Sequence, residues 1–378
     1  MNFRVGLLIA SPDSSGEQLL NGIVDFVRHN PHWVVQHSDW WQPKRQSDYD
    51  GFDGLIVRQP IIGLPKLARK LSIPIVDISS HRRPMRGIPR VTVDNYAIGK
   101  IGAEHFLRRG YRNMAFLGRK IPVYSQDRLR GFQKTAESAG AQVFVHAQPG
   151  MHGWSRESVI KPLRRWIRQL PRPLAVMGDS DSAARIILEA CQPDIGVPEE
   201  VAVVGVDNNI WVCELCKPPL SSISLELRRV GYRAAALLED LMRGKKPPSQ
   251  PIVVPPGDLC LRRSADVFAV QDQAVAKAIR FIEDHATDKV SMQAVCRHVF
   301  LSKRSLELRF RKATGRSPRE EIRHVRMRLA RTLLGTPMSI AAVAAKAGFS
   351  DQSRFGRIFK QHTGLSPLAY RRSLHEGH

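Results

Sequence analysis

Cysteine is scarce in this sequence, and long apolar runs are absent. Five cysteines among 378 residues are an odd number in a large chain, so they do not form a disulfide framework. No stretch approaches the about 18 apolar residues of a membrane span. The N-terminal MNFRVGLLIASPDSS lacks the build of a signal peptide. We therefore expect neither a secreted disulfide-rich domain nor a membrane protein, but a chain of the reducing cytoplasm.

Several catalytic motifs are also missing. The sequence has no G-x-S-x-G nucleophile elbow and no phosphate-binding glycine loop, and no G-x-G-x-x-G follows its first strand. Cys213 and Cys216 have the spacing of a zinc knuckle, but no second Cys or His pair follows at ligand distance. We interpret them as ordinary thiols and expect no enzyme, no metal and no cofactor.

Positive charge is what the sequence has in excess. It contains 58 Lys and Arg against 35 Asp and Glu, a formal charge of +23. Such a surplus attracts polyanions, of which nucleic acid is the first to consider and an anionic membrane surface the second. Residues 267–378 hold 21 of the basic and 9 of the acidic residues, about half of the net charge. This asymmetry identifies the C-terminal part as the nucleic-acid module.

The first 265 residues alternate short β-branched runs with amphipathic helical stretches. The rhythm is that of βαβ units in parallel sheets. There are too many strands for one sheet, and the pattern restarts near Asn113, so we predict two successive doubly wound halves with a cleft between them. The strand pattern stops near residue 265, which predicts a domain over 1–265 and a helical domain over 266–378.

The helical part contains an internal repeat. SMQAVCRHVFLS at 291–302 matches SIAAVAAKAGFS at 339–350 with a shift of 48, and LRFRKATGRSP at 308–318 matches RIFKQHTGLSP at 357–367 with a shift of 49. Each copy has the pattern of a helix, a short turn, a Ser at an N-cap and a second basic helix, which is a helix-turn-helix layout. We predict two such units near 291–314 and 339–363.

A helix between the copies joins them. In PREEIRHVRMRLARTLLG the apolar residues Ile322, Val325, Leu329 and Leu333 have the spacing of one buried helix face. A rigid connector of this kind can hold two units about one DNA turn, ~34 Å, apart. Their second helices then enter successive major grooves.

These motifs resemble the AraC/XylS-type DNA-binding domain over residues 270–374. The matching runs are I-A-A-V-A-x-x-A-G-F-S, F-x-x-x-F-K-x-x-x-G-x-S-P and R-x-x-x-A-R-x-L-L. One position departs from the family, because Phe300 stands in the first turn where the second copy has Gly348. If that position needs a positive φ, Phe300 strains its turn.

Helical geometry predicts which side chains face DNA. Leu306 and Phe310 bury one side of the first basic helix, and Phe355, Ile358 and Phe359 bury one side of the second. Arg311, Lys312 and Lys360 are predicted phosphate contacts, and Ser350 is the predicted N-cap of the second helix. The alternative for each residue is a solvated surface. The predicted base-reading residues are Lys303, Arg304, Glu307, Gln352, Ser353, Arg354 and Arg357.

Polar side chains follow several of the predicted strands. Ligands of doubly wound sheets bind outside the carboxyl ends of the strands, and this mixture of carboxylate, hydroxyl, Arg and aromatic groups suits a small sugar. The alternatives are that Asp181 caps a helix, that Asp207 orders a turn, that Arg128 is solvated and that the tryptophans only pack. The candidates are Asp13, Ser15, Tyr124, Arg128, Asp181, Asp207 and Trp211, with Ser11 beside the first of them.

The N-terminal domain also resembles a known family. VTVDNYAIGKIGAEHFLRRGYRNMAFLG, Y-S-x-x-R-x-x-G-F and VPEEVAVVGVDNN are similar to the periplasmic-binding-protein-like core of LacI/GalR regulators. That core followed by an AraC-type domain resembles the family of xylose operon regulators. The resemblance implies a dimeric activator that binds D-xylose in the cleft, operator DNA through the helices, and RNA polymerase when it activates. It also implies sugar-ligand roles for Arg128, Asp181 and Asp207.

The sequence leaves the effector and the mode of control open. The first loop, SPDSSGEQLLNGI, departs from the family pattern, so another small sugar is also compatible with the sequence. So is a constitutive DNA binder, and so is an enzyme fused to a DNA-binding domain. As a DNA-binding protein the chain is expected in the cytoplasm, associated with the nucleoid when bound, with no membrane partner.

Overall fold

The chain divides into two units, Met1–Asp266 and Val267–His378. The first is a parallel α/β unit and the second is helical, which confirms the predicted fold class. The computed structural model describes residues 2–9, 14–37, 49–58, 70, 72–148, 156–269, 272–285, 290–314, 316–349, 351–363 and 365–375.

The first lobe of the α/β unit is built on a four-stranded parallel sheet of order β2-β1-β3-β4. A bridge between Asp77 and Arg90 leads from its last strand to a parallel pair formed by β5 and β11. The elements of this lobe are β1 Phe3–Leu8, α1 Ser14–Arg28, β2 Trp33–His37, β3 Gly54–Val57, β4 Ile75–Asp77, β5 Val91–Val93, α7 Leu227–Met242 and β11 Ile252–Val254.

The second lobe has a six-stranded sheet of order β12-β10-β9-β8-β6-β7, in which only β12 is antiparallel to its neighbour. Both faces are covered, which is why the strands are almost continuously apolar. Its elements are α2 Asn95–Arg108, β6 Asn113–Arg119, α3 Val123–Ser138, β7 Gln142–Gln148, α4 Arg156–Gln169, β8 Leu174–Gly178, α5 Asp181–Cys191, β9 Val201–Asp207, α6 Ile210–Leu215, β10 Ser221–Ser224, β12 Leu259–Cys260 and a 3-10 turn at Arg263–Ala265.

Strand β6 shows how this sheet is filled from two sides. Leu117 joins a buried cluster with residues of α4 and α5. The neighbouring Phe116 points to the other face, where its ring lies 5.7 Å from that of Phe132 on α3. The alternation of side chains along a strand therefore supplies two separate cores.

The two lobes are interleaved rather than successive, and the predicted simple order was wrong on this point. After β10 the chain returns to the first lobe, where α7 packs against α1 and β3. Glycines allow that close approach: a Cβ on Gly22 would lie 1.9 Å from the Arg228 carbonyl oxygen, and one on Gly231 2.0 Å from that of Leu19. The chain then crosses back with β12. Several segments of the chain thus connect the lobes around one cleft.

The helical unit contains two cores that share one helix. Its elements are α8 Gln273–Asp284, α9 Met292–Val299, α10 Lys303–Thr314, α11 Pro318–Leu334, α12 Ile340–Lys346, α13 Gln352–Thr363 and α14 Pro367–His375. Helices α9 and α10 form the first helix-turn-helix unit, and α12 and α13 form the second.

The shared helix α11 differs from its prediction. Ile322 and Val325 are buried in the first core as expected. The second core instead takes Met327, Ala330 and Leu334, with Leu333 only half-buried against it. The helix therefore presents two buried faces at its two ends instead of one continuous stripe, because the two units pack on it from different directions.

Both turns of the helix-turn-helix units contain a residue in the left-handed region. Phe300 has φ 55° and Gly348 has φ 77°. Glycine adopts this conformation freely, whereas a side chain is strained there. The suspected strain at Phe300 is confirmed, and its side chain is 93% exposed, so it has no packing that offsets the strain.

The N-caps of the two basic helices use different residue types. In the first copy the Ser302 hydroxyl accepts from the Ser305 amide at 3.2 Å. In the second copy the Asp351 carboxylate accepts from the Arg354 amide at 2.6 Å. The predicted cap, Ser350, lies outside the described residues. The cap moves to Asp351 because the residue added to the second copy precedes this helix, where the shift between copies becomes 49.

Candidate functional site

A cleft of about 580 Å³ lies in the α/β unit at the carboxyl ends of β6, β8 and β9. Residues that follow β3 and β4 complete it from the first lobe. Of the predicted sugar ligands, four line this cleft. They are Ser15, Tyr124, Arg128 and Asp207.

Arg128 is a deeply buried cation of the cleft, with 3% of its surface exposed. Its Nε donates to Asn95 Oδ1 at 3.0 Å, and its Nη1 donates to the Asp179 carbonyl oxygen. Burial lowers the pKa of Arg128, and the charges of Asp207 and Asp179 oppose that effect. Its guanidinium carbon lies 4.8 Å from the centre of the Tyr124 ring. Arg128 is thus a fixed donor group rather than a solvated helix residue.

The position of Arg128 follows from the packing of α3 on α2. A Cβ on Gly99 would lie 1.9 Å from the Arg128 carbonyl oxygen, and one on Gly131 would lie 2.0 Å from that of Tyr96. Only glycine permits the two backbones to approach so closely. This contact brings Arg128 to Asn95 at the start of α2.

Asp179 provides a carboxylate that was not among the predicted ligands. It is fully buried at the end of β8. Its Oδ2 accepts from the Arg119 backbone amide at 3.1 Å and lies 3.4 Å from Arg119 Nε. Its Oδ1 accepts from the Ser180 hydroxyl at 3.0 Å. Arg119 also donates to the Tyr124 hydroxyl. One network thus fixes both the aromatic ring and the carboxylate of the cleft.

Asp207 closes β9 in an unusual backbone conformation. Its φ is 116°, and the φ of Asn208 is 48°, so two consecutive non-glycine residues lie at positive φ. Such strain is concentrated at functional sites. Although part of Asp207 is open to the cleft, burial raises the pKa of its carboxyl group to about 7; Arg128 opposes the rise, while Asp181 and Asp179 add to it.

Asp181 does not line the cleft. It is 1% exposed and lies behind it, where its carboxylate accepts from the Ser222 hydroxyl, from the Asn209 amide at 2.7 Å and from Cys213 Sγ at 3.5 Å. Burial raises its pKa to about 6, and these hydrogen bonds oppose the rise. Ser180, not Asp181, caps α5. Asp181 therefore holds the turn after β9 in place, and of these two carboxylates only Asp179 lines the cleft.

One further candidate does not line the cleft, and two others lie outside the described residues. Trp211 lies on α6 with 77% of its surface exposed, and it is not a lining residue. Asp13 and Ser11 lie outside the described residues. Cys213 and Cys216 are buried free thiols whose pKa values burial raises, which agrees with ordinary unreactive cysteines.

The first lobe contributes polar groups that were not predicted. The Val123 and Tyr124 amides donate to the carbonyl oxygens of His81 and Ser80, both at 3.1 Å. The His81 ring meets the Tyr124 ring edge-on at 5.2 Å. Arg58 follows β3 at the cleft wall. Its position directly after the buried strand GLIV is the feature of the sequence that could have identified it as a cleft residue.

The loop that carries His81 is held by a buried ion pair. Arg90 Nε donates to Asp77 Oδ2 at 2.9 Å, and Asp77 Oδ1 accepts from the Ser79 amide at 2.8 Å. The same guanidinium donates to the carbonyl oxygens of Arg82 and Arg83. The first-lobe wall of the cleft is therefore fixed from within.

In the helical unit, the buried faces of α10 and α13 are as predicted apart from one residue. Leu306, Phe310, Phe355 and Phe359 are fully buried, whereas Ile358 is half-buried. Six of the seven predicted base-reading side chains are exposed, and the seventh, Glu307, is half-buried. The exposed six are Lys303, Arg304, Gln352, Ser353, Arg354 and Arg357.

Leu308 is a residue of this face that the prediction omitted. It is 66% exposed and lies opposite Leu306 and Phe310 on α10. The shift of 49 makes it the counterpart of Arg357. The two units therefore present an apolar group and a cation at equivalent positions. Alignment of the two copies of the repeat could have identified Leu308 for this reason.

The comparisons with known proteins agree with this two-part build. Residues 103–265 match a periplasmic binding protein-like domain, and residues 295–373 match a helix-turn-helix domain. The chain is 26% identical over 383 residues to a xylose operon regulatory protein of Escherichia coli K12, covering 97% of this chain and 96% of that protein. It is 28% identical over 290 residues to a xylose operon regulatory protein of Haemophilus influenzae, covering 75% and 74%.

A solved structure extends the likeness to three dimensions. A structure of a xylose-binding transcription activator matches with a TM-score of 0.66 and 25% identity, over 99% of this chain and 98% of that one. The chain is therefore a DNA-binding transcription regulator with a helix-turn-helix domain. Within the part of the chain that the structure describes, no helix is long and apolar enough to span a bilayer.

Proposed function

We propose that residues 1–265 sense D-xylose in the cleft and that residues 266–378 bind operator DNA to activate pentose catabolic genes. The observation that carries this proposal is the cleft itself, where Arg128, Asp207 and Tyr124 converge at the ends of parallel strands. Fixed donors and acceptors suit hydroxyl groups, and an aromatic ring suits the apolar face of a sugar. The similarity to a xylose-binding activator supports xylose as the sugar.

The proposed mechanism is a shift between open and closed forms of the cleft. The His81 loop of the first lobe and the start of α3 in the second lobe already meet through two backbone hydrogen bonds. A sugar bound between them stabilises the closed form only by its differential affinity for it. In a cytoplasmic homodimer, closure would change how two protomers present their helix-turn-helix units to repeated half-sites and to RNA polymerase.

The DNA-reading residues are part of the same proposal. Arg354 and Arg357 suit guanine O6 and N7, Gln352 suits adenine, and Leu308 suits the methyl group of thymine. Their exposure on the side of α10 and α13 away from the cores supports this assignment.

Thermal unfolding of the full chain with D-xylose, L-arabinose, D-ribose and D-glucose tests the effector. We expect saturable stabilisation by D-xylose, because a ligand that binds only the folded state raises its stability. Stabilisation by another sugar alone would transfer the role to that sugar. No stabilisation by any of them, with operator binding intact, would point to a constitutive DNA binder.

A further inference from the structure

A second cavity, a groove of about 660 Å³, lies in the helical unit. Residues of α9, of α11 and of the α12–α13 turn and α13 line it, so it lies between the two helix-turn-helix units. Its base is apolar, with Ile322, Phe349 and Ile358. Four arginines converge on this base, and we call the cavity the arginine groove. They are Arg319, Arg323, Arg326 and Arg354.

The positive charge of the arginine groove is only partly balanced by nearby acids. Hydrogen bonds from Ser317 lower the pKa of the Glu320 carboxyl group, and the charge of Arg323 adds to this effect. Among the described residues, no carboxylate lies within 4.0 Å of the four guanidinium groups, and none lines the groove. The neighbouring acids are engaged elsewhere. Glu320 accepts from the Ser317 amide at 2.6 Å, Glu321 lies 3.6 Å from Arg316, and Asp351 caps α13.

Four like charges around one groove repel each other, and the structure carries a sign of that cost. Arg326 is half-buried, and burial together with the charge of Arg354 lowers its pKa. An anion in the groove would offset the repulsion and stabilise the charged form of Arg326. Guanidinium groups prefer phosphate or carboxylate, which they bind through paired N–H donors.

The spacing of the arginines indicates an extended anion rather than a single ion. Arg319, Arg323 and Arg326 follow one face of α11. From the helical rise they cover about 10 Å, which equals the rise of about three base pairs along the axis of a DNA duplex. Arg354 stands beside them on the first turn of α13, the helix that carries the predicted base contacts of the second unit.

We propose that the arginine groove binds the sugar-phosphate backbone of the DNA segment between the two half-sites. The backbone contact is made by Arg319, Arg323 and Arg326, which read no bases themselves and fix the register of both recognition helices. Arg354 borders the groove and keeps its proposed base contact. The proposal rests on the DNA-binding function of the chain and not on the identity of its effector.

The test uses the full-length protein and an operator selected from random duplexes. Arg319 and Arg323 are exposed, so the double variant R319Q/R323Q removes charge with little loss of packing. Arg372→Gln, on exposed surface of α14, is the matched control. The slope of log K against log salt should become shallower by about 1.8 in the double variant, about 0.9 for each lost phosphate contact, and stay unchanged in the control.

Neutral methylphosphonates placed between the half-sites give a second measurement that needs no variant. They should weaken binding of the native protein and make its salt slope shallower, but have little further effect on R319Q/R323Q. If the methylphosphonates weakened binding of R319Q/R323Q by the same factor as binding of the native protein, the two effects would be independent and the proposal would be overturned. An unchanged salt slope with loss of activated transcription would overturn it in favour of a polymerase contact. All measurements are made with and without D-xylose, so the DNA-contact result can be interpreted even if the protein does not respond to this sugar.

Discussion

The raised pKa of Asp207 leads to a prediction about how sugar affinity depends on pH. A carboxylate that accepts from sugar hydroxyls must be ionised, and with a pKa of about 7 roughly one tenth of the unliganded protein is ionised there at pH 6 and nine tenths at pH 8. If binding requires the ionised form, affinity should rise about tenfold between these pH values. The stability of the unliganded protein depends on pH in the opposite direction to the sugar affinity. Because the folded pKa lies above the ordinary 3.8, this group's contribution to stability is lost as pH rises from 3.8 through about 7.

Titration calorimetry at pH 6, 7 and 8 measures this effect. Repeating the pH 7 titration in two buffers of different ionisation enthalpy should show release of about half a proton per bound sugar, since about half of the sites are protonated before binding. Asp207→Asn should remove the pH dependence and weaken binding at pH 8 by about 1.5–3 kcal/mol, the value of a hydrogen bond to a charged group.

Two matched controls separate Asp207 from its neighbours. Asp181 has a pKa raised to about 6 but lies behind the cleft, so Asp181→Asn should keep a pH-dependent sugar affinity and shift it to lower pH, because the charge of Asp181 adds to the raised pKa of Asp207. His81 lines the cleft from the other lobe, and His81→Gln should keep the proton release at pH 7. A flat pH profile in the native protein, or a profile that survives Asp207→Asn, would refute the role assigned to this carboxylate.

Further predictions concern the DNA-binding unit. Phe300→Gly should raise its free energy of unfolding by about 1 kcal/mol, because relief of left-handed strain exceeds the entropy cost of glycine; denaturant unfolding checks this, and a loss of stability would contradict it. Gly348→Ala should destabilise by a similar amount or more, since its Cβ would also lie 2.8 Å from Arg326 Nε. Arg357→Ala should cost about 1–3 kcal/mol and relax one base position in a binding selection, whereas uniform weakening would place it on phosphate. Leu308→Ala should abolish the preference for thymine over deoxyuridine in the first half-site; an unchanged preference would remove Leu308 from the base contacts.

The local features of the helical unit could be predicted from the sequence with few errors. Periodicity identified Leu306, Phe310, Phe355 and Phe359 as buried, because a helix places residues three and four apart on one face whatever it packs against. The comparison of the two copies identified the strained turn at Phe300 in the same way. These inferences depend only on neighbours along the chain.

Features that depend on partners distant in the sequence were not predictable. Asp181 was predicted as a ligand and Asp179 was not, but the direction of each side chain after β8 places Asp179 and not Asp181 at the cleft. Exposure of Trp211 likewise depends on what α6 packs against.

The sequence by itself determined the class of each element, the two-part build and the pair of helix-turn-helix units, since these follow from short-range periodicity and from an internal repeat. Only the tertiary structure decided that α7 and β11 return to the first lobe, that α11 serves two cores, and that four arginines meet in one groove. The reason is physical. Each of these arrangements joins residues far apart in the chain, and their positions are set by the packing of whole elements and not by the pattern within any one of them.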